Sequence, residues 1–271
     1  MYQSDIINAL SGQLSRGVMA GGIQASKHTE VTHSYRRLNM PAVLGNSLTS
    51  TPRTDAVISV VARKFRSDVS CFGIEQAVQF LIEERYTDRI TRKPFYRLAP
   101  EAALLGYWNS IGTMEFLDRH LIDFLSVTLS RQAEVRTGEV CAHGDGDNRV
   151  LFEPADFNRW IGHMEQIYAL KLAPVQEAIA VYAQTVFSHP FRDGNGRLSR
   201  ALIYGSLRRG GLISTPCLGL GPTFDYSRRP LSLATLALSE RGDWKLYSRT
   251  LDRILRLCAI NGNLVFRARY G

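Results

Sequence analysis

The chain has 271 residues, 45% hydrophobic and 21% charged, which suits a globular fold with a sizeable core. No apolar run reaches the roughly 18 residues of a membrane span, and the opening MYQSDIINALSGQ lacks the basic lead and apolar stretch of a cleaved leader. The net charge of +8 comes mainly from 28 scattered arginines with no block of five like charges, so charge alone does not point to nucleic acid as a direct partner.

Residues 1–52 are rich in Ser, Thr, Gly and Asn and have weak periodicity, so they read as loop or extended chain. From Asp55 the pattern turns helical. Thr54 is the expected N-cap of Asp55–Lys64. Ile74, Ala77, Val78, Leu81 and Ile82 recur at helical spacing and predict an amphipathic helix over Gly73–Tyr86. A helix is expected from Pro100 through Trp108, and a long one from Met114 to about Gln132, capped by Thr113.

The period then changes. EVCAHGDGDNRVLF (Glu139–Phe152) holds two short apolar pieces around a Gly/Asp/Asn tip, a hairpin signal. Pro154 and Asp156 open a helix to about Leu170. Pro174 opens the next, which stops at His189-Pro190 because a residue before proline resists helical geometry. Gly196–Arg209 follows, ended by Gly210-Gly211. A Pro/Gly-rich loop, Ser214–Pro222, precedes helices over Leu231–Ser239 and Trp244–Cys258. Cys71, Cys141, Cys217 and Cys258 show no CxxC pairing, so zinc ligation and a disulfide framework are not expected.

The chemistry concentrates in HPFRDGNGRLSR, His189–Arg200. A helix ends, a tight glycine-bearing loop follows, and a new helix starts at Gly194-Asn195-Gly196. Unpaired amides at a helix start carry the positive end of the helix dipole and suit phosphate oxygens. Glycines let the backbone approach an anion closely. Arg197 and Arg200 lie three apart, on one helix face, and can clamp the same polyphosphate. Asp193 is a hard oxygen donor beside that anion site, the kind Mg²⁺ takes together with phosphates. His189 titrates near neutrality at the rim and can accept a proton from a hydroxyl. Base, metal ligand, anion hole and charge clamp on one loop suit phosphoryl or nucleotidyl transfer.

The segment resembles the signature of the Fic (filamentation induced by cAMP) family, HPFx[D/E]GN[G/K]RxxR, at all of its constrained positions: His189, Pro190, Phe191, Asp193, Gly194, Asn195, Gly196, Arg197 and Arg200. LAPVQEAIAVYAQTVF before it, ALIYGSLRRGGL after it and GDW at Gly242–Trp244 are similar to the family's flanking helices and C-terminal part. The resemblance spans roughly residues 100–260. It implies a mainly helical, all-α domain over 100–271 with one β-hairpin flap. Residues 1–99 lie outside the resemblance and read as a partly loop-rich extension, compatible with a targeting segment, a partner-binding arm or an intramolecular regulator.

The resemblance further implies an AMP-transferring enzyme, a protein adenylyltransferase, that uses ATP and Mg²⁺. His189 would be the general base on a Ser, Thr or Tyr hydroxyl of a target protein. Asp193 would bind the magnesium ion. Gly194, Asn195 and Gly196 would cradle the phosphates, while Arg197 and Arg200 hold the leaving pyrophosphate. Pro190 and Phe191 would shape and anchor the loop. The hairpin at Glu139–Phe152, with Val140, Cys141, Val150 and Leu151 on its strands, would hold the target segment by strand addition.

Two positions depart from the family pattern. The stretch expected to line the base pocket, Arg228–Leu238, has no tyrosine where the family often has a pair. The inhibitory pattern [S/T]xxxE[G/N] is met only in its first five positions, at Ser26–Glu30 and Ser130–Glu134, with Glu30 the candidate inhibitory residue. The same loop is compatible with UTP, GTP or a phosphocholine donor, with the reverse de-AMPylation, or with a toxin or partner-binding module that senses nucleotide. A homodimer and an inhibitory, antitoxin-like partner are compatible with the resemblance, as are a bacterial cytoplasmic setting and delivery into a host cell by a specialised secretion apparatus.

Overall fold

The computed structural model describes residues 36–37, 48, 52–69, 84–87, 94–97, 107–129, 131–143, 149–152 and 156–270, with backbone alone for 36–37, 65–69, 84–87, 94–97, 140–143, 149–151, 222 and 263–270. In chain order the elements are β1 (Arg36–Arg37), α1 (Pro52–Val69), β2 (Glu84–Thr87), β3 (Pro94–Arg97), a π-helical stretch Phe116–His120 leading into α2 (Leu121–Leu129), β4 (Val140–His143), β5 (Arg149–Phe152), α3 (Phe157–Ala169), α4 (Pro174–Ser188), α5 (Asn195–Arg209), α6 (Leu220–Tyr226), α7 (Arg228–Arg241) and α8 (Trp244–Tyr270). The fold is mainly helical.

Helix α4 is the centre. Val175, Ala178, Ile179, Ala180, Val181 and Ala183 are all buried, so the helix is apolar on nearly every face and other helices surround it. It starts as its sequence dictates: Pro174 occupies the first turn, and the Gln176 side chain accepts the Ala173 N–H at 3.3 Å. Its main partner is α5, with α3, α8 and α1 also packed on it. Leu198, Ala201, Leu202, Ile203, Tyr204 and Leu207 of α5 are buried in the same core.

At Gly205 the partner comes closer than a side chain allows. A Cβ there would lie 2.5 Å from the Cα of Gly112, so the turn before α2 rests directly on the α5 backbone. Arg209, paired with buried Glu177, donates to the Gly112 carbonyl at 2.8 Å and lies over the Tyr168 ring, tying α3, α4 and α5 together at their far ends.

Several expected boundaries shift. The helix expected at Asp55–Lys64 runs from Pro52 to Val69, and Thr54 does not cap it. The Thr54 hydroxyl donates instead to Asp252 on α8, because α1 packs against α8 and the tertiary partner outcompetes the local one. The end of the helix expected over Gly73–Tyr86 is a strand: Glu84–Thr87 pairs antiparallel with Pro94–Arg97, while residues 73–83 lie outside the described residues. Cross-strand pairing overrides a helical spacing of apolar residues there. Residues 100–106 also lie outside the described residues.

Thr113 does cap the next helix, its hydroxyl accepting the Phe116 N–H at 3.2 Å, but that helix ends at Leu129 rather than Gln132. The residues after it run extended along the loop that follows α4. The helix expected from Pro154 begins at Phe157, because the Asp156 carboxylate accepts the Arg159 N–H at 3.0 Å and sets the start there. Within the expected loop Ser214–Pro222, Leu220 already begins α6. Helix α7 starts at Arg228, not Leu231, and α8 continues past Cys258 to Tyr270. Gly242, left-handed at φ 64°, ends α7, and the Asp243 carboxylate accepts the Leu246 N–H to open α8. Among the described residues no helix is long and apolar enough to cross a membrane.

The strands form two small sheets. β4 and β5 are antiparallel, with Val140 opposite Phe152, Cys141 opposite Leu151 and Ala142 opposite Val150. Arg36 and Arg37 add a third strand, parallel to β5 and opposite Val150 and Leu151, so these two residues cover the outer edge of β5.

Candidate functional site

Helix α4 ends at Ser188, and His189 follows in the left-handed region at φ 44°, ψ 56°, its N–H still bound to the Thr185 carbonyl at 3.0 Å. A non-glycine residue pays for this conformation and keeps it only where its surroundings enforce it. Pro190 then turns the chain away. Phe191 is fully buried, in edge contact with Phe157 of α3, and anchors the loop in the core.

Asn195 closes the loop. Its side chain is buried, accepts the Phe191 N–H at 3.0 Å and donates to the Phe191 carbonyl at 2.6 Å. Both ends of the amide are used, so this side chain shapes the loop, and the residue's remaining contribution is its place in the first turn of α5. Gly194, at φ 88°, precedes that turn. A Cβ there would come within 3.2 Å of Leu125, so glycine answers both the backbone angle and the packing on α2. The start of α5 then offers the backbone amides of its first turn.

The extended segment 131–138 runs alongside. Arg136 N–H donates to the Pro190 carbonyl at 2.9 Å, Arg192 N–H to the Glu134 carbonyl at 3.0 Å, and Val135 bridges to Phe191. This segment carries a second layer of charge. Arg131 pairs with Asp193 at 2.6 Å, and Glu134 pairs with Arg192 at 2.9 Å, all four exposed. Glu134, which ends one of the two partial inhibitory patterns, therefore pairs with a variable position of the loop and not with a motif arginine. Glu30 lies outside the described residues.

Asp193 uses one carboxylate oxygen for the Gly194 N–H at 2.7 Å and the other for Arg131. Among the described residues no three His, Cys, Asp or Glu side chains gather into a metal site. A cation at Asp193 would thus take its other ligands from phosphate and water. One exposed carboxylate beside a helix start is the donor set Mg²⁺ uses with a polyphosphate.

The arginines sit deeper. Arg197 donates to the Thr128 carbonyl at 3.0 Å. Arg200 folds back along the first turn of α5, its Nη1 3.4 Å from where a Gly196 Cβ would stand. Burial lowers Arg200 to about 10, with Tyr204, Asp225 and Cys258 acting the other way and Arg228 adding to the fall, so it stays charged at neutral pH. Asp225 and Arg228 bring the α6–α7 junction to the same charge.

His189 is held between Phe152 and Arg136. The Phe152 ring stacks on the imidazole with centroids 4.4 Å apart. Burial, then the Arg136 charge, lower its pKa to about 4, against a smaller opposite effect of Asp193. The imidazole is neutral at physiological pH. The sequence reading missed Phe152 as a neighbour of the imidazole and missed Arg136 altogether, since neither stands in the motif. The only sequence signal was their place at the two roots of the hairpin. Of the hairpin residues, Val140, Cys141, Val150 and Leu151 fall on β4 and β5 as backbone.

A family model described as the Fic/DOC family matches residues 114–207. The chain is 25% identical over 194 residues to a protein of Aedes aegypti named protein adenylyltransferase Fic, covering 69% of this chain and 34% of that one. It is 25% identical over 198 residues to a protein of the same name from Culex quinquefasciatus, covering 71% and 35%. The chain thus spans about a third of the length of the curated relatives it matches. A crystal structure of a Fic family protein from Desulfovibrio desulfuricans superposes with a TM-score of 0.50 at 13% identity, over 79% of this chain and 67% of that one, a likeness of fold. The loop His189–Arg200, set between two packed helices, falls within the stretch at residues 114–207 that the Fic/DOC family model matches, so the chain carries a Fic/DOC-like domain there.

Proposed function

We propose that this protein transfers AMP from ATP to a Ser, Thr or Tyr hydroxyl of another protein and releases pyrophosphate. One observation carries the reading: a neutral His189, lowered to about 4, is presented at the mouth of a loop that ends in the start of α5 and two half-buried arginines, Arg197 and Arg200. A neutral imidazole can accept the hydroxyl proton as the oxygen attacks the α-phosphorus. The bond between the α-phosphorus and the oxygen bridging to the β-phosphate breaks, and pyrophosphate leaves with that electron pair. Arg197, Arg200 and the amides that begin α5 hold the charge that develops there. Asp193 would hold Mg²⁺ against the phosphates, and the ion would supply charge neutralisation between them. The names of the two mosquito relatives, protein adenylyltransferase Fic, support the same chemistry.

The target segment would dock by strand addition at the hairpin. Since β1 covers the outer edge of β5, the edge of the hairpin itself left for an added strand, among the described residues, is that of β4.

The test is label transfer from α-labelled ATP to protein acceptors, the chain itself included. The wild type should transfer label, and His189→Ala should lose it by about 10²–10⁴-fold while still binding nucleotide by calorimetry. Absence of both transfer and nucleotide hydrolysis by the wild type would sink the reading. Competition among ATP, GTP, UTP and CTP in the same calorimetric cell assigns the donor, and a γ-labelled control separates transfer of AMP from transfer of phosphate.

A further inference from the structure

One side chain outside the motif ties the site together. Arg136 is 2% exposed, and its guanidinium donates to four backbone carbonyls. Nε reaches His189 at 2.8 Å, Nη2 reaches Ser188 at 3.1 Å, and Nη1 reaches Gly138 at 2.7 Å and Phe152 at 3.2 Å. Two of these carbonyls belong to the C-terminal end of α4. The other two flank the sheet, Gly138 two residues before β4 and Phe152 at the end of β5.

The physical case starts from the end of α4. The last carbonyls of a helix lack intrahelical partners and carry the negative end of its dipole. Pro190 has no N–H to offer them. A buried cation fills that need, and in return it needs nearly all of its donors matched, since an unmatched buried charge is costly. A guanidinium has five N–H donors in a fixed fork, and four meet carbonyls here. The same contacts hold the turn in which His189 adopts φ 44°.

We propose that Arg136 is the positioning residue of this site: it locks the left-handed turn that presents His189 and fixes the hairpin at a set distance from it. The inference rests on the reading of His189 as the base and goes beyond it, because it makes base and docking edge one mechanical unit. The groups that face the imidazole are Phe152 from β5, Arg136 from the segment before β4 and Asp193 from the loop after α4. Of the two charges, that of Arg136 opposes protonation.

The test follows the His189 imidazole by NMR in the full chain, with labelled histidine, in wild type, Arg136→Met and Arg136→Lys. Arg136→Met removes the charge and the fork, so the His189 midpoint should rise by about one unit or more and the Ser188 and His189 amide resonances should move. Arg136→Lys keeps the charge, but an ammonium cannot span four carbonyls. It should leave the midpoint near the wild-type value while label transfer falls at least tenfold in kcat with KM for ATP unchanged. An arginine that only stabilised the fold would lower Tm in both variants and leave the two amide resonances and kcat of the folded fraction unmoved, and that result overturns the proposal. Should Arg136→Met fail to fold, Arg136→Lys decides: wild-type kcat overturns the proposal and a kcat loss at constant KM sustains it. The amide resonances need no substrate, so Ser188 and His189 amides that move in Arg136→Met, in a protein that transfers no AMP, would overturn the functional reading and leave the lock on the turn standing.

Discussion

Phe152 lies nearly flat against His189, with ring centroids 4.4 Å apart and 25° between the planes. The last residue of β5 thus covers one face of the imidazole that ends α4, whose burial is the largest cause of its lowered pKa. Phe152→Ala should let water reach the ring and move the acid limb of the pH–rate profile upward from about 4 toward the ordinary histidine value near 6.5. A profile of label transfer from pH 4 to 8 reads it. An unmoved limb would show that the stack contributes nothing to the proton affinity of His189.

The same shift links to stability. His189 binds its proton less readily folded than unfolded, so between about pH 6.5 and 4 the unfolded chain holds more protons. His163, also lowered by burial and by Arg159, acts in the same direction. Stability should therefore fall as pH drops through that window. The His189→Gln variant should show a shallower loss of Tm between pH 7 and 5 than the wild type.

Asn195 gives a folding prediction rather than a chemical one. Asn195→Ala leaves both the N–H and the carbonyl of buried Phe191 without their partner, a cost of about 1–3 kcal/mol. In a chain of this size that lowers Tm by roughly 2–4 °C for each kcal/mol. Asn195→Asp keeps an acceptor for the Phe191 N–H and loses the donor, so it should fall between wild type and alanine. A thermal melt orders the three.

Arg131 competes for the Asp193 carboxylate, at 2.6 Å from one of its oxygens. Arg131→Ala should free that oxygen and lower the magnesium concentration that gives half-maximal transfer by a few-fold, with little change in Tm because the pair is exposed. A magnesium titration at saturating ATP tests it, and an unchanged midpoint would mean the pair does not compete with the ion.

Gly205 tests the packing that supports the loop. Gly205→Ala would place a Cβ 2.5 Å from the Gly112 Cα, a clash of backbone with backbone that only a shift of α5 relieves. Loss of several kcal/mol is expected, read as a lower urea midpoint. Because α5 carries Arg197 and Arg200, the surviving folded protein should also bind ATP more weakly.

Much of this protein is legible residue by residue. The bounds of α4 follow from Pro174 at one end and Pro190 beyond the other. The chemistry of the loop follows from nine residues within twelve positions, since histidine, aspartate, glycine and arginine in that order have few other uses together. The ends of α1, α6 and α8 were misread because their neighbours decide them: Thr54 leaves its expected capping place for Asp252, and α8 outruns Cys258. The strand at Glu84–Thr87 was misread because its partner lies ten residues on, where no period reveals it.

The sequence by itself determined the local chemistry: which residues can bind an anion, take a proton or end a helix, because those properties belong to the side chain or to its nearest neighbours along the chain. Only the tertiary structure decided which of them act together. Arg136 lies 53 positions from His189, Phe152 stands 37 before it, and nothing in a linear pattern marks either as its neighbour. Burial and close packing bring them there, and in a water-poor setting their charge and ring set the proton affinity that the motif histidine could not set alone.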